Sequence, residues 1–323
     1  MARVSWGVLG CSDFARRRTI PAMLESSSVD LVGVASRSAE KAEAFRAMFD
    51  LRRAYPSYES LLEDPEITAV YLPLPAALHA EWMLRAAAHG KHCLCEKPFT
   101  SSAADAARVL DAFTGRGLFV GEAFMWRLHV QHRRARMWVE RGRIGEVRLV
   151  RAAFSVRLTR RPDIRLDPAL GGGSVLDLGC YPVSAARFYF DDEPIAAYAC
   201  GTVDPAYEVD MSMSGVLEFP HGAAIIDSAF NLPYRTELEI VGEEGTIRMP
   251  KPWLPDSEAT VIINDKVETM PPENQYVTQF EFFSTCILEG IPPRFGPEDA
   301  LAQMRALDAV LRSMRSGARE AVT

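Results

Sequence analysis

The sequence predicts an α/β protein in two parts. Residues 1–122 read as a doubly wound parallel sheet, and residues 123–323 as an α/β domain on a large, open, mostly antiparallel sheet. Three observations predict this. Short apolar runs alternate with helical segments through roughly the first 120 residues, the rhythm of parallel strands joined by right-handed crossovers. From Ile195 onward, apolar runs follow one another across turn residues such as Pro220-His221-Gly222, the spacing of hairpins. A chain of 323 residues, 48% of them hydrophobic, exceeds what one ordinary core needs and suffices for two.

Residues 4–9 form the first apolar run, and Gly10-Cys11-Ser12-Asp13-Phe14-Ala15 leads from it into a helical segment reaching about Ser26. A Gly-x-Gly-x-x-Gly turn at this place would present backbone amides and a helix N-terminus to a pyrophosphate. Only the first glycine is present. Ser12 and Ala15 are small enough to stand at the other two places, and alone the motif is no stronger than a plain strand-to-helix turn. The next strand, 30–35, ends in Ser36-Arg37-Ser38, with Lys41 one turn further on. An acidic residue there would hold the ribose hydroxyls of NAD, whereas a cation with hydroxyl donors suits a 2′-phosphate, so the expected cofactor is NADP(H) on a Rossmann domain. The plainer alternative makes Ser38 a helix N-cap and leaves Arg37 and Lys41 solvated.

A helix over 39–48, a strand at 53–55 and a helical turn from Ser57 come next. A buried-type strand, 67–72, then ends in Pro73-Leu74-Pro75. Prolines cannot continue a central strand, so the chain leaves the sheet at its carboxyl end, where open α/β sheets bind ligands. His79 opens the following helix, which stops at Gly90, and a structural histidine is its plainer reading. Residues 91–95 form a strand that breaks into Glu96-Lys97-Pro98. Thr100 or Ser101 caps a helix to about 113, and the strand 118–120 ends in Gly121-Glu122.

In the second part a helix over 131–141 closes at Gly142, and a long strand over 147–157 follows. Arg157, Arg160, Arg161 and Arg165 then share a polar loop with Asp163 and Asp167. The loop reads either as solvated or as lending one or two arginines to a site, with Arg165, nearest the glycine run, as the candidate. Gly171-Gly172-Gly173 permits close backbone approach, and Ser174 with Asp177 has the spacing of a capping box. In an α-helix Asp177 and Tyr181 share a face and offer a carboxylate and a phenol to one small volume. Separately, the first reads as a cap and the second as a half-buried helix tyrosine. Strands at 199–203, 211–219, 223–230, 236–241, 245–249 and 260–263 precede helices at 277–288 and 298–315, with Tyr276 and Gln279 as candidate pocket residues.

A net charge of −7 without a basic block gives no footprint for nucleic acid or an anionic membrane surface. No apolar run approaches the roughly 20 residues of a membrane span. Six scattered cysteines without a Cys-x-x-Cys pair suggest neither a disulfide framework nor a metal site. The N-terminus has no signal-peptide layout, and the expected location is cytoplasmic. Small molecules or protein are the expected partners.

Several of these stretches together resemble one family. Gly7-x-x-Gly10-Cys11-Ser12-x-Phe14-Ala15, Ser36-Arg37, Leu72-Pro73-Leu74-Pro75 with His79, Glu96-Lys97-Pro98 and the segment from Gly171 to Tyr181 are similar, in order, to the motifs of the Gfo/Idh/MocA oxidoreductases. The chain most resembles sugar ketoreductases of deoxysugar pathways and aldose and dihydrodiol dehydrogenases. The resemblance implies cofactor contacts from Gly10, Cys11, Ser12, Asp13, Phe14, Ser36, Arg37, Lys41, Leu72, Pro73, Leu74, His79, Glu96, Lys97 and Arg165. It implies catalytic roles for Lys97, Tyr181 and Asp177, substrate contacts from these three and Tyr276, a cis Lys97–Pro98 bond, and a homodimer or homotetramer. Many family members have histidine in place of Tyr181 and aspartate in place of Ser184. A phenol of pKa about 10 rests protonated and suits donation to a nascent alkoxide, which favours carbonyl reduction, although a nearby lysine could restore base function. The expected activity is NADPH-dependent reduction of a ketosugar, free or carried on a nucleotide. Oxidation of a free aldose or dihydrodiol, and a non-catalytic NADPH-sensing role, are the alternatives.

Overall fold

A computed structural model of the chain describes residues 2–159, 162–255 and 258–323. Arg160 and Arg161, two of the loop arginines, lie outside the described residues. The chain divides into two units, residues 1–125 with 274–301 and residues 126–273 with 302–323. A single cut after residue 122 therefore misses a return of the chain to the first unit.

The first unit is a six-stranded parallel sheet in the order β3-β2-β1-β4-β5-β6, formed by β1 (Val4–Leu9), β2 (Val29–Ala35), β3 (Arg53–Tyr55), β4 (Ala69–Leu72), β5 (His92–Glu96) and β6 (Val120–Ala123). The strand order reverses between β1 and β4, the place where such sheets bind ligands. Helices α1 (Ile20–Glu25), α2 (Ala39–Phe49), α3 (Tyr58–Leu62), α4 (His79–Ala88) and α5 (Ala103–Phe113) make the crossovers. Ser102, rather than Thr100 or Ser101, caps α5 by accepting from the Asp105 amide. Gly121 and Glu122 lie inside β6, not after it. Glu122 pairs in register with Cys95, and a Cβ on Gly121 would stand 3.2 Å from the Phe283 ring, so this glycine makes room for a packed helix rather than a turn.

That helix belongs to the returning segment. Trp6 on β1 is fully buried against Phe280 and Phe283, at ring-centroid distances of 5.7 and 5.9 Å, and its indole N–H donates to Ser284 Oγ at 3.1 Å. Aromatic pairs of this kind contribute about 0.5–1.5 kcal/mol each beyond their buried area. They explain why the segment from 274 rejoins the first unit.

The second unit opens with α6 (Val130–Glu140), β7 (Val147–Ser155) and α7 (Cys180–Phe190). There follow β8 (Ala196–Val203), β9 (Asp210–Phe219), β10 (Gly222–Ala229), β11 (Arg235–Gly242), β12 (Thr246–Met249), β13 (Ala259–Ile263) and β14 (Lys266–Met270). In the first unit the chain continues as α8 (Gln275–Glu289). It then forms α9 (Pro297–Ser316) and ends in β15 (Glu320–Ala321). The nine-stranded sheet runs β14-β13-β12-β11-β7-β10-β9-β8-β15, antiparallel throughout except for the β7–β10 pair. Helix α7 covers one face, and Tyr198, Val216 and Ile225, cross-strand neighbours on β8, β9 and β10, are exposed on the strands. β14 and β15 escaped the sequence reading because Lys266-Val267-Glu268-Thr269-Met270 is largely polar and Glu320–Ala321 is two residues long.

Candidate active site

In the first unit, the loops after β1, β2, β4 and β5 carry the expected cofactor residues. Gly10 has φ +133°, and a Cβ there would meet Leu74 Cδ2 at 3.0 Å and Pro73 O at 3.6 Å. Only glycine leaves this cradle open, and its closeness to the Pro73-Leu74 turn brings the ends of β1 and β4 together. Ser12 Oγ accepts from the Ala15 amide at 3.0 Å and so caps the helical turn at residues 13 and 14, which leads through a π-turn, Ala15–Thr19, into α1. Asp13 is exposed and pairs with Arg16 and Arg17, while Phe14 packs edge-on against Tyr276 at 5.8 Å. These features fit a pyrophosphate above the turn.

Beyond β2, Ser38 does cap α2, accepting from the Lys41 amide at 3.2 Å. Ser36 Oγ accepts from the Ser38 amide at 3.2 Å, which keeps its hydroxyl at the strand end beside Arg37 and Lys41. Burial pushes the Cys11 thiol up to about 11, with Lys41 and a hydrogen bond from Ser36 acting against it. Tyr58 on α3, absent from the sequence expectations, meets the Arg37 guanidinium; burial raises its pKa and Arg37 opposes the rise. Two hydroxyls and two cations thus gather around one strand end, a donor set that matches a 2′-phosphate.

Glu96, at the end of β5, accepts the Tyr71 hydroxyl at 2.5 Å, and both residues are buried. Burial, then the Glu96 charge, raises the pKa of Tyr71 and of Tyr276. Tyr276, expected as a substrate residue, therefore sits in the first unit beside Phe14 and Glu96. The Lys97–Pro98 peptide is cis. The His79 ring stands between two backbone carbonyls, Nδ1 2.8 Å from Pro98 O and Nε2 2.8 Å from Leu74 O; a neutral ring has one N–H and donates to one of them, packing between the loop after β4 and the loop holding Lys97. Burial, with Lys97 adding, lowers the His79 pKa. Its contacts are backbone carbonyls, which gives it a structural place between two loops expected to carry cofactor residues.

In the second unit, the glycine run ends in a second π-turn, Val175–Gly179, that continues as α7. Ser174 does not cap it as a box with Asp177. Its hydroxyl donates instead to Asp210 Oδ2 at 2.7 Å, because β9 delivers a buried carboxylate to that spot. Asp177 pairs with Arg165 Nε at 3.0 Å, so the loop arginine chosen from sequence meets the candidate carboxylate, and Arg157 is exposed. Tyr181 is 5% exposed and lies between Phe154, edge-on at 5.2 Å, and Trp253 at 5.6 Å. Trp253 in turn donates its indole N–H to Ala153 O at 3.0 Å. The Arg127 guanidinium gives two hydrogen bonds to Ser184 Oγ, at 3.0 and 2.7 Å, where many family members have a carboxylate. Among the described residues, no cluster of His, Cys, Asp and Glu could hold a metal ion.

Residues 4–124 match the oxidoreductase family with an NAD-binding Rossmann fold, and residues 132–248 match the GFO/IDH/MocA C-terminal domain. The chain belongs to the Gfo/Idh/MocA oxidoreductase family. This oxidoreductase is 38% identical to a D-xylose 1-dehydrogenase (NADP(+)) of Haloferax volcanii over 97% of its own length and 98% of the relative's. It is 33% identical to the dTDP-3,4-didehydro-2,6-dideoxy-alpha-D-glucose 3-reductase of Actinomadura kijaniata, over 97% and 95% of the two chains. It also resembles the crystal structure of KijD10, a 3-ketoreductase from Actinomadura kijaniata in complex with NADP and TDP-benzene, with a TM-score of 0.89, 32% identity and coverage of 96% and 98%. Solved forms of KijD10 include a tyrosine-to-phenylalanine variant and two variants of one lysine. Those two positions lie 84 residues apart in its chain, as Lys97 and Tyr181 do here.

Proposed function

We propose that this oxidoreductase reduces the ketone of a nucleotide-activated ketosugar with NADPH, as a ketoreductase of deoxysugar biosynthesis. The observation that carries the reading is Tyr181, a phenol held in an aromatic cage, at the same chain distance from Lys97 as the altered tyrosine and lysine of KijD10. Gly10, Ser12 and the following π-turn would hold the pyrophosphate, and Ser36, Arg37, Lys41 and Tyr58 the 2′-phosphate. The bound reduced nicotinamide supplies the hydride. Tyr181 gives its proton to the nascent alkoxide, Lys97 stabilises the charge developing on that oxygen, and Asp177, oriented by Arg165, holds a substrate hydroxyl. The exposed row Tyr198, Val216 and Ile225 is the proposed contact face of a homo-oligomer.

A positioned general acid is worth roughly 10²- to 10⁴-fold. Tyr181→Phe should lower kcat by a factor in that range while the NADPH dissociation constant stays within about 2-fold. A variant that keeps most of its rate rules the assignment out. The 38% identity to a xylose dehydrogenase supports a second reading, oxidation of a free aldose with NADP⁺. Steady-state assays of a nucleotide-linked ketosugar with NADPH and of D-xylose with NADP⁺ separate the two.

A further inference from the structure

We propose that Asp210 is a positioning residue that sets the turn carrying Asp177 and Tyr181. It stands first on β9, buried, and one oxygen of its carboxylate takes two hydrogen bonds of 2.7 Å, from Ser174 Oγ and from the Val175 amide. Ser174 Oγ is also 3.2 Å from Ser228 Oγ on β10. The other carboxylate oxygen lies over Gly173. A Cβ at residue 173 would come within 2.2 Å of it, on a backbone with φ +118°.

The glycine run thus gains a purpose that its sequence does not announce. Gly173 makes room for the Asp210 carboxylate, and Gly172 makes room for backbone, since a Cβ there would lie 2.6 Å from Arg165 O and 2.8 Å from Asp167 O. The Gly173 amide donates to Arg165 O at 2.9 Å, and the Arg165 side chain reaches Asp177. On the same turn, a Cβ on Gly179 would stand 3.1 Å from Ser228 Oγ. Two strands therefore grip both ends of the π-turn, and Asp210 holds its entry two residues before Asp177.

A simple cap would not need this arrangement. A serine or asparagine in the loop caps a helix with little desolvation, whereas a buried carboxylate must be satisfied in full. Asp210 is satisfied by hydroxyl and amide donors; among the described residues no cation pairs with it. Two bonds to one oxygen fix the backbone at Val175 more narrowly than one side-chain bond could. Tyr181 follows six residues later on a continuous helical path. A displacement of about 1 Å in a reacting group can cost 10²-fold in rate.

This inference rests on Tyr181 being the proton donor, and the test separates the two. kcat is measured for Asp210→Ala and Asp210→Asn, each with Tyr181 intact and in a Tyr181→Phe background, and NADPH affinity is followed by fluorescence titration. Asp210→Ala should lower kcat about 10- to 100-fold, and Asp210→Asn should recover most of it, because one amide oxygen can accept both bonds. Neither should move NADPH affinity more than about 2-fold, and in the Tyr181→Phe background Asp210→Ala should cost less than about 3-fold. Full turnover in Asp210→Ala, or an equal loss in both backgrounds, overturns the proposal. If Asp210→Ala does not fold, Ser174→Ala enters the same cycle with the same two overturning results. If Tyr181→Phe itself keeps the native rate, the proposed function fails instead. Amide exchange then decides for Asp210: faster exchange across residues 175–181 with β9 and β10 unchanged supports the device, and unchanged exchange overturns it.

Discussion

Acid should loosen the second unit through one buried histidine, His132 on α6. Its Nε2 lies 2.7 Å from Pro252 O and its Nδ1 2.9 Å from the Tyr189 hydroxyl. A carbonyl only accepts, so Nε2 carries the proton and Tyr189 donates to Nδ1; the neutral ring uses both nitrogens. The ring also stacks on Trp253, 7° from parallel at 6.4 Å, and Trp253 is one wall of the Tyr181 cage. Burial pulls the His132 pKa from 6.5 to about 3. Between those values the unfolded chain binds the proton and the folded one does not, so stability is whole above pH 6.5 and falls as the pH drops. Each pH unit is worth about 1.4 kcal/mol, which gives a loss of roughly 2–3 kcal/mol at pH 4.5 and roughly 4–5 kcal/mol near pH 3. Against a total of about 5–15 kcal/mol for a domain, the former is already large. Urea unfolding of the unaltered protein and of His132→Gln, at intervals from pH 7 to 4.5, isolates the effect, because His79, His92 and His129 titrate in both. The unaltered protein should lose about 2–3 kcal/mol more than the variant over that span. Parallel stability curves would refute the reasoning.

Two further substitutions probe the first unit. Replacing Arg37 by serine should erase a preference for NADPH over NADH, read as two dissociation constants by nicotinamide fluorescence; equal affinities in the unaltered protein would count against the 2′-phosphate assignment. Replacing His79 by leucine strands the one carbonyl that its single N–H serves, Pro98 O or Leu74 O, at a cost of about 1–3 kcal/mol in urea unfolding. Since His79 packs between two loops proposed to hold the cofactor, NADPH affinity should fall with it, and native affinity in a folded variant would show that this contact has no bearing on the cofactor.

The first unit was legible because its signals are local. A glycine after an apolar run, Ser36-Arg37 after the second, and prolines after the fourth each declare a strand end, and the parallel order follows from crossover geometry. Tyr58 escaped because its meeting with Arg37 depends on where α3 crosses the sheet. In the second unit Asp210, Phe154 and Trp253 were invisible for a related reason. Each reaches the site from a residue 27 or more positions away from Tyr181, across strands whose register no short window encodes. Gln279 is buried, and nothing in its immediate sequence distinguishes it from the core positions of α8. The segment from 274 read as a late helix of the second part, since membership of the first unit depends on Trp6, 274 residues before its partner Phe280.

The 3.6-residue period failed at two places, and both lie where chemistry is proposed. Ala15–Thr19 follows the Gly10 turn and Val175–Gly179 follows Gly173; each is a π-turn, and each begins within five residues of a glycine at strongly positive φ. A π-turn inserts a residue into the helical path and rotates everything after it relative to what precedes it. The spacing argument that put Asp177 and Tyr181 on one face assumed an α-helix throughout, so its conclusion cannot rest on spacing. What replaces it is support from outside the helix: Arg165 orients Asp177, Phe154 and Trp253 hold Tyr181, and Asp210 fixes the start of the turn. Local rules give way where an external framework has taken over the placing of side chains, and such departures are expected at functional sites. The two π-turns therefore mark the same two places at which cofactor and substrate binding are proposed.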